Sequence, residues 1–402
     1  MRRRLTVTYL KILLTFLRLG CTSFGGPIAH LGYFREEFVV RRRWLSELEY
    51  ANLVALCQFI PGPASSQVGA AVGYIRAGYP GALLAWIGFT LPSGLIMFVV
   101  ATSLLSMHDP GLIEWVQGLK LVAVVIVAQA VIGMQKQLCN TFLTRLIALC
   151  SASVILIASY SPFLPLVVIT GGVIAGLLCA NIPQQLDANH SSPAILSVAS
   201  KQQGSITLLS LFVVILIGLP LWTAQANGLV LLFDKFYRSG ALVFGGGHVV
   251  LPLLFNEWVA SGLVTQTEFF IGYGTAQAVP GPLFTFATFL GAVGNDENTA
   301  VAAITATLAI FLPGMLLLFA ALPFWHKVSQ SQLGKRGLIG ANAAVVGLLL
   351  ATLINPILMT TLSGLGDITI VLVTSFALIR FNLHSLWAIL ACLIGHVLLS
   401  MI

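Results

Sequence analysis

The chain has 402 residues, of which 58% are hydrophobic and only 8% are charged. Soluble domains carry about 25% charged residues, so this composition excludes an ordinary soluble protein and predicts helices embedded in a lipid bilayer. The net charge of +7 forms no basic stripe or basic-aromatic platform, and we therefore expect no nucleic-acid partner. The cysteines and histidines show no metal-ligand spacing, so we predict no metal, no cofactor and no enzymatic activity.

The first apolar segment runs from Leu5 to Ser23 and is broken by Phe24-Gly-Gly-Pro27. Proline suits the first turn of a helix, so a new helix is expected to begin there and to end in the arginine-rich loop at 35–43. Two arms in so few residues cannot both cross a bilayer at about 1.5 Å per residue. The pattern predicts a helical hairpin that dips into the membrane.

A second break follows, at Pro61-Gly62-Pro63. Ser46 and Glu49 form a capping-box pattern that starts a helix, and the Pro-Gly-Pro sequence interrupts it inside an apolar region. These features predict a second hairpin with short arms. Four longer apolar segments come next, at about 82–105, 113–135, 144–160 and 163–181.

The second half of the chain repeats this plan about 220 residues later. The pattern Phe-x-Arg-x-Gly-x₃-Phe-Gly-Gly occurs at 16–26 and at 236–246, and Pro-Gly-Pro recurs at 280–282. Longer segments are then expected near 299–323, 337–356, 368–380 and 384–401. We predict a first repeat at 1–185, a linker with one extra transmembrane helix at 186–226, and a second repeat at 227–402.

Loop charges indicate that the two repeats have opposite orientations. The loop at 35–43 carries four arginines, whereas its counterpart at 256–264 carries no Lys or Arg. The loop at 106–119 carries none, whereas 326–336 carries three. Because cytoplasmic loops are enriched in Lys and Arg, this alternation predicts an inverted-topology repeat. The fold class is therefore an all-α polytopic membrane protein, with two broken hairpins and about four spanning helices in each repeat.

Broken helices of inverted repeats that meet at the bilayer midplane commonly build the substrate sites of secondary transporters. Helix starts favour anions, glycines allow close backbone approach, and hydroxyls add donors. No Asp or Glu lies near either tip in the sequence, so we expect a bound oxyanion to be the partner of the two arginines. The candidate substrate-binding residues are Arg18, Gly25, Gly26, Gln58, Pro61, Gly62, Pro63, Ser65, Ser66, Arg238, Gly245, Gly246, Gln277, Pro280, Gly281, Pro282 and Thr285.

Structural roles remain as alternatives for several of these residues. Arg18 and Arg238 could extend to the membrane interface or cap helix carbonyls. Gln58 and Gln277 could satisfy carbonyls that the proline leaves free. Glu49 and Glu268 are interpreted as helix caps.

The duplicated Phe-Gly-Gly, Gln-x-x-Pro-Gly-Pro and Leu-Pro elements resemble the chromate ion transporter family, in its two-domain form, over essentially the whole chain. The resemblance implies a multi-pass carrier of the bacterial inner membrane that exports chromate and confers chromate resistance. It also implies oppositely oriented halves. The sequence departs from the repeat at Gly247, which stands where the first copy has Pro27.

Three alternatives stay open at this point. Sulfate, another tetrahedral dianion, could be the substrate in place of chromate. An anion channel would share the same chemistry but would conduct rather than saturate. A homodimer in the membrane is compatible with the sequence, although no residues indicate an interface. No sequence motif indicates the coupling ion or the direction of transport.

Overall fold

The structure is a computed structural model, and it describes residues 2–106, 112–158, 164–179, 202–223, 228–243, 250–259, 261–295, 298–324, 331–362, 364–381 and 385–400. These residues are helical apart from turns and short connections, and they contain no β-strand. Several helices are strongly apolar. The all-α membrane class predicted from composition is therefore confirmed at this level.

The helices of the first copy follow the predicted order. They are α1 (Arg2–Thr22), α2 (Gly26–Arg35), a π-helical turn (Glu36–Arg41), α3 (Glu47–Phe59), α4 (Ala64–Ser106), α5 (Leu112–Leu138), α6 (Phe142–Ile157) and α7 (Leu164–Cys179). The predicted extra segment is α8 (Gln202–Thr223). The sequence boundaries hold to within a few residues because Gly, Pro and capping side chains terminate helices locally.

The second copy repeats this order. Its helices are α9 (Leu229–Ala241), α10 (Val250–Trp258), α11 (Gln266–Ala278), α12 (Phe286–Val293), α13 (Thr299–Ala321), α14 (Gln332–Thr352), α15 (Leu365–Phe381) and α16 (Ser385–Ser400). Short 3₁₀ turns lie at Leu283–Thr285 and Leu322–Phe324, and a π-helical stretch lies at Leu353–Leu358.

Helix α4 is not one straight rod. Ala77 and Gly78 have non-helical backbone angles, and a Cβ placed on Gly73 would collide with the carbonyl oxygen of Gly81. Residues eight apart in a straight helix lie about 12 Å from each other, so the chain must fold back at Gly78. Residues 64–76 therefore form the return arm of the second hairpin, and residues 79–106 form the long segment predicted to follow it.

Capping side chains set the starts of the equivalent helices α3 and α11. Ser46 and Glu49 exchange both hydrogen bonds of a capping box. In the second copy, the Glu268 carboxylate accepts from the Thr265 N–H at 2.8 Å, and the Glu268 N–H donates back to the Thr265 hydroxyl. The interpretation of both glutamates as caps is confirmed.

The described chain divides into two compact units, each of which takes segments from both repeats. The first unit comprises 1–99, 182–250 and 279–334. In it, α13 packs against α8, α9 and α12. A buried aromatic cluster joins α1, α2 and α4, with Phe34 5.9 Å from Phe16 and 5.0 Å from Phe89 between ring centroids.

The second unit comprises 100–181, 251–278 and 335–402. In it, α5 packs against α11, α15 and α16. Helices α7 and α14 approach closely through glycines, since a Cβ on Gly172 would lie 2.7 Å from the carbonyl oxygen of Gly340. Small residues at such contacts are typical of helix pairs in membranes, where backbones must come close to gain packing energy.

Four of the described segments are both long and apolar enough to cross a bilayer: Ala64–Leu105, Gly204–Thr223, Thr299–Phe324 and Gln332–Asn355. The first of them contains the fold-back at Gly78, so its length is divided between two helical arms and does not form one straight span. Shorter apolar helices include Phe142–Ile157 and Leu365–Leu378.

Candidate functional site

The Phe-Gly-Gly break of the first copy forms a tight turn between α1 and α2. Gly25 and Gly26 have φ angles of +97° and +77°, a region that other residues enter at a cost. Pro27 lies in the first turn of α2, as predicted. In the second copy, residues 244–249 lie outside the described residues, and the predicted contacts of Gly245 and Gly246 with a ligand remain predictions.

Both Pro-Gly-Pro breaks are present, and both use a glycine with positive φ. Gly62 has φ +122° and Gly281 has φ +105°. In the first copy, Pro61 precedes this glycine and Pro63 follows it, directly before α4. Pro280 and Pro282 occupy the same places before the 3₁₀ turn that leads into α12. The breaks create two hairpin tips with equivalent backbone turns.

These tips are joined across the two copies by a reciprocal pair of hydrogen bonds. The Gly62 N–H donates to the carbonyl of Val243 at 2.8 Å, and the Gly281 N–H donates to the carbonyl of Ser23 at 2.9 Å. Ser23 and Val243 occupy equivalent positions, one residue before each Phe-Gly-Gly sequence. We call this pair the crossed hydrogen bonds. Each Pro-Gly-Pro tip therefore binds the residue that directly precedes the Phe-Gly-Gly sequence of the other copy.

The crossed hydrogen bonds change one expected role. Sequence analysis assigned the backbone N–H groups of the Pro-Gly-Pro tips to an anion. The structure uses the N–H groups of Gly62 and Gly281 to hold the tips together instead. The N–H groups of Ala64, Ser65 and Ser66 lie in the first turn of α4, where the helix provides no carbonyl to accept from them. They remain the backbone donors of this tip.

Each tip glycine also touches the other copy's long helix. A Cβ on Gly62 would lie 2.8 Å from the Cα of Gly314 in α13, and a Cβ on Gly281 would lie 2.8 Å from the Oγ of Ser93 in α4. Ser93 and Gly314 follow the equivalent Leu-Pro pairs of the two repeats. At each tip, the two copies therefore contact each other through close packing as well as through hydrogen bonds.

Gln67 stabilises the first tip, at Pro61-Gly62-Pro63, and it was not among the site residues predicted from the sequence. Its Nε2 donates to the carbonyls of Pro61 and Gly314, both at 2.9 Å, and the residue is fully buried. The position one turn after a proline break was a usable signal, because such a break frees a carbonyl that needs a donor. The second copy has Phe286 at the corresponding place, so the two tips are braced differently.

Two buried hydroxyls lie beside the two helix breaks of the first copy. Ser23 and Ser66 are 0% and 2% exposed, and the Oγ of each has no hydrogen-bond partner among the described residues. A buried polar atom without a partner costs about 1–3 kcal/mol, so these hydroxyls are candidates for contact with a ligand or a water molecule. Ser66 was a predicted site residue, whereas Ser23 was not.

His30 connects the two breaks of the first copy. Its Nε2 lies 3.2 Å from the carbonyl of Ser23, and its Nδ1 lies 3.4 Å from the Oγ of Ser65. The ring packs edge-on against Phe89 at 5.3 Å. The ring is buried, and its contact with Ser65 connects α2 to the start of α4.

The remaining polar candidates are engaged or exposed. The Thr285 hydroxyl donates to the carbonyl of Pro282 at 2.9 Å, so its proton stays within the tip. Gln58 is exposed. Gln277 donates to the hydroxyl of Tyr273 at 2.9 Å. None of these contacts decides between ligand binding and a structural role.

The two equivalent arginines have different surroundings. Arg18 is exposed on α1. Arg238 is largely buried on α9 and pairs with Asp234 one turn earlier, with its Nη2 3.0 Å from the carboxylate. Arg238 therefore has a protein carboxylate as a partner, where a bound oxyanion was expected. A spacing of four residues along a helix places side chains together, so the sequence contained this signal.

We expect Arg238→Ala to destabilise the protein and Arg18→Ala to leave its stability unchanged. Asp234 is 1% exposed, and removal of its partner leaves a buried charge at a cost of about 3–5 kcal/mol. The measurement is thermal unfolding of both purified variants in detergent. Asp234→Asn combined with Arg238→Ala is the control, and it should recover part of the loss. Equal melting temperatures for the two single variants would contradict this account.

Comparison with known proteins places this geometry in context. The family model described as chromate transporter matches residues 10–177 and again 230–397. A chromate transport protein of Pseudomonas aeruginosa is 29% identical over 87% of this chain and 81% of its own length. The chromate transport protein of Cupriavidus metallidurans is 25% identical over 85% of this chain and 81% of its own.

An uncharacterised transporter of Methanocaldococcus jannaschii is 28% identical over 99% of this chain and 96% of its own length. No solved structure matches the chain.

Proposed function

Because this chain belongs to the chromate transporter family, we propose that it is a secondary carrier that exports chromate across the bacterial inner membrane. The observation that supports the site of this proposal is the contact of both Pro-Gly-Pro tips, within one compact unit, with the residues that precede the two Phe-Gly-Gly sequences. Unpartnered hydroxyls of Ser23 and Ser66 lie at this meeting point.

A tetrahedral dianion fits the chemistry of the first tip. The free N–H groups at the start of α4 and the positive end of its dipole favour negative charge. The hydroxyls of Ser23 and Ser66 can donate to oxyanion oxygens without losing an existing bond. Gly25 and Gly26 allow the backbone to approach closely. Arg18 supplies positive charge on the preceding helix, whereas Arg238 is already neutralised by Asp234.

We propose that the repeats at 1–185 and 227–402, joined by the 186–226 linker, are inverted in the membrane. The opposite loop charges support this, and so does the exchange of tips, because reciprocal contacts of equivalent residues are what a two-fold axis produces. Rocking of one set of helices against the other would then open the tips alternately to each side of the membrane.

Chromate accumulation by inverted membrane vesicles is the first test. Vesicles that contain the protein should take up chromate in a saturable manner, and vesicles without it should not. Sulfate competition distinguishes the substrates: strong inhibition by sulfate with equal transport of it would assign the site to tetrahedral dianions in general. Uptake no greater than in vesicles without the protein would refute the chromate assignment, and non-saturating conductance would indicate a channel.

A further inference from the structure

A buried histidine at the proposed oxyanion site has a hydrogen-bonding pattern that links anion binding to a proton. The carbonyl of Ser23 can only accept, so the Nε2 of His30, 3.2 Å away, must carry a hydrogen. A neutral imidazole has one N–H, so Nδ1 must then accept. Its neighbour at 3.4 Å is the Ser65 hydroxyl, which therefore donates to the ring.

The neutral state of His30 thus removes Ser65 from the set of anion donors. The single proton of the Ser65 hydroxyl points to Nδ1, and a lone pair is left for any ligand. A second proton on His30 would go to Nδ1 and reverse this bond, so that the ring donates to the Ser65 oxygen. The hydroxyl proton of Ser65 then becomes free to turn to an oxyanion.

The surroundings of His30 hold no compensating charge among the described residues. Its contacts are Ser23, Ser65 and the ring of Phe89, which are all neutral. On the neighbouring helices, Arg18 on α1 is exposed, and Arg35 on α2 pairs with Glu47 on α3 at 2.6 Å. On α3, Glu49 is engaged in the cap of its helix.

The other titratable side chains described on these helices make no hydrogen bond, ion pair or ring contact with His30. They are Tyr9, Lys11, Cys21, Tyr33, Tyr50, Cys57, Tyr74, Arg76 and Tyr79. A buried imidazole is charged only when negative charge comes close, and a bound dianion would supply it.

We propose that His30 is the proton-linked donor switch of the oxyanion site, taking up one proton when a dianion binds and thereby releasing the Ser65 hydroxyl to it. This inference rests on the proposed function, since it needs an anion at the first tip. By reciprocity, a proton on His30 raises the affinity for the anion by the same factor that the anion raises the affinity for the proton. Anion affinity should therefore fall as pH rises.

The test is chromate binding to the purified protein, together with initial uptake rates in proteoliposomes, between about pH 6 and 8. In the wild-type protein the affinity should fall with rising pH by up to about tenfold per pH unit, the limit for one linked proton. His30→Gln keeps a donor for the Ser23 carbonyl and an acceptor for Ser65 but cannot titrate, so its affinity should be nearly independent of pH. Sulfate is measured in parallel because chromate itself binds a proton in this range.

Two further variants keep the test decisive. Ser65→Ala removes the group that the switch releases, so it should make the pH slope shallower than in the wild-type protein while His30 is retained. His396→Gln changes a half-buried histidine in the other compact unit and should keep the wild-type profile. A wild-type pH slope in His30→Gln would overturn the switch. Failure of the wild-type protein to bind or transport either anion at any pH would instead refute the proposed function.

Discussion

Substitution of Gly62 by alanine is expected to abolish transport and to destabilise the protein. The φ angle of +122° costs a residue with a Cβ about 1–2 kcal/mol. The new methyl group would also lie 2.8 Å from the Cα of Gly314, a backbone atom that cannot turn away. Overpacking of this kind costs about 1–3 kcal/mol. The tip would have to move away from α13, which breaks the hydrogen bond to the Val243 carbonyl.

Two other glycines separate strain from collision in this experiment. Gly26 has φ +77°, but a Cβ there meets no atom within 4 Å, so Gly26→Ala tests the backbone strain alone. Gly32 is helical and equally open, and Gly32→Ala should be neutral or slightly stabilising. Melting temperature and chromate uptake are measured for all three variants. The order Gly62 worst, Gly26 intermediate and Gly32 unchanged is expected, and wild-type behaviour of Gly62→Ala would contradict the close contact.

Gly281→Ala offers a comparison at the other tip. Its φ of +105° carries a similar strain, but the new methyl group would meet the Ser93 side chain rather than backbone. Because a side chain can rotate or be removed, the loss should be partly rescued by Ser93→Gly. No such rescue is available for Gly62, where the obstacle is Gly314.

Local chemistry made the helix breaks predictable from the sequence. Proline lacks an N–H and glycine tolerates positive φ, so Pro61-Gly62-Pro63 and Gly25-Gly26 interrupt helices whatever surrounds them. The capping boxes at Ser46 and Thr265 are local in the same way. The fold-back of α4 at Gly78 was implied by the break between the second hairpin and the segment at 82–105.

Long-range partners were not predictable from one sequence. Nothing local indicates that the Gly62 N–H reaches the carbonyl of Val243, because the two residues meet only after both copies have folded. The duplication suggested that the two tips are equivalent, but it did not indicate that each tip binds the other copy. The Arg238–Asp234 pair, in contrast, is predictable from its spacing of four residues along one helix.

Substitution of Gln67 by glutamate is expected to destabilise the first tip as strongly as the glycine substitution. The Nε2 group donates to two carbonyls, and a carboxylate of the same shape would present oxygens to both of them. Each buried carbonyl left without a donor costs about 1–3 kcal/mol. A buried negative charge would also repel the proposed dianion. Transport should fall to background, with a lower melting temperature.

Gln67→Met and Gln58→Glu isolate the cause. Methionine removes both hydrogen bonds without adding charge, so it should be destabilising but less so than glutamate. Gln58→Glu makes the same chemical change at an exposed position on the preceding helix, and its melting temperature should match the wild type. If Gln67→Glu were as stable as Gln58→Glu, the bridge between Pro61 and Gly314 would have no energetic role. The first tip would then be stabilised without a side-chain amide, as the second tip is, where Phe286 stands at the corresponding place.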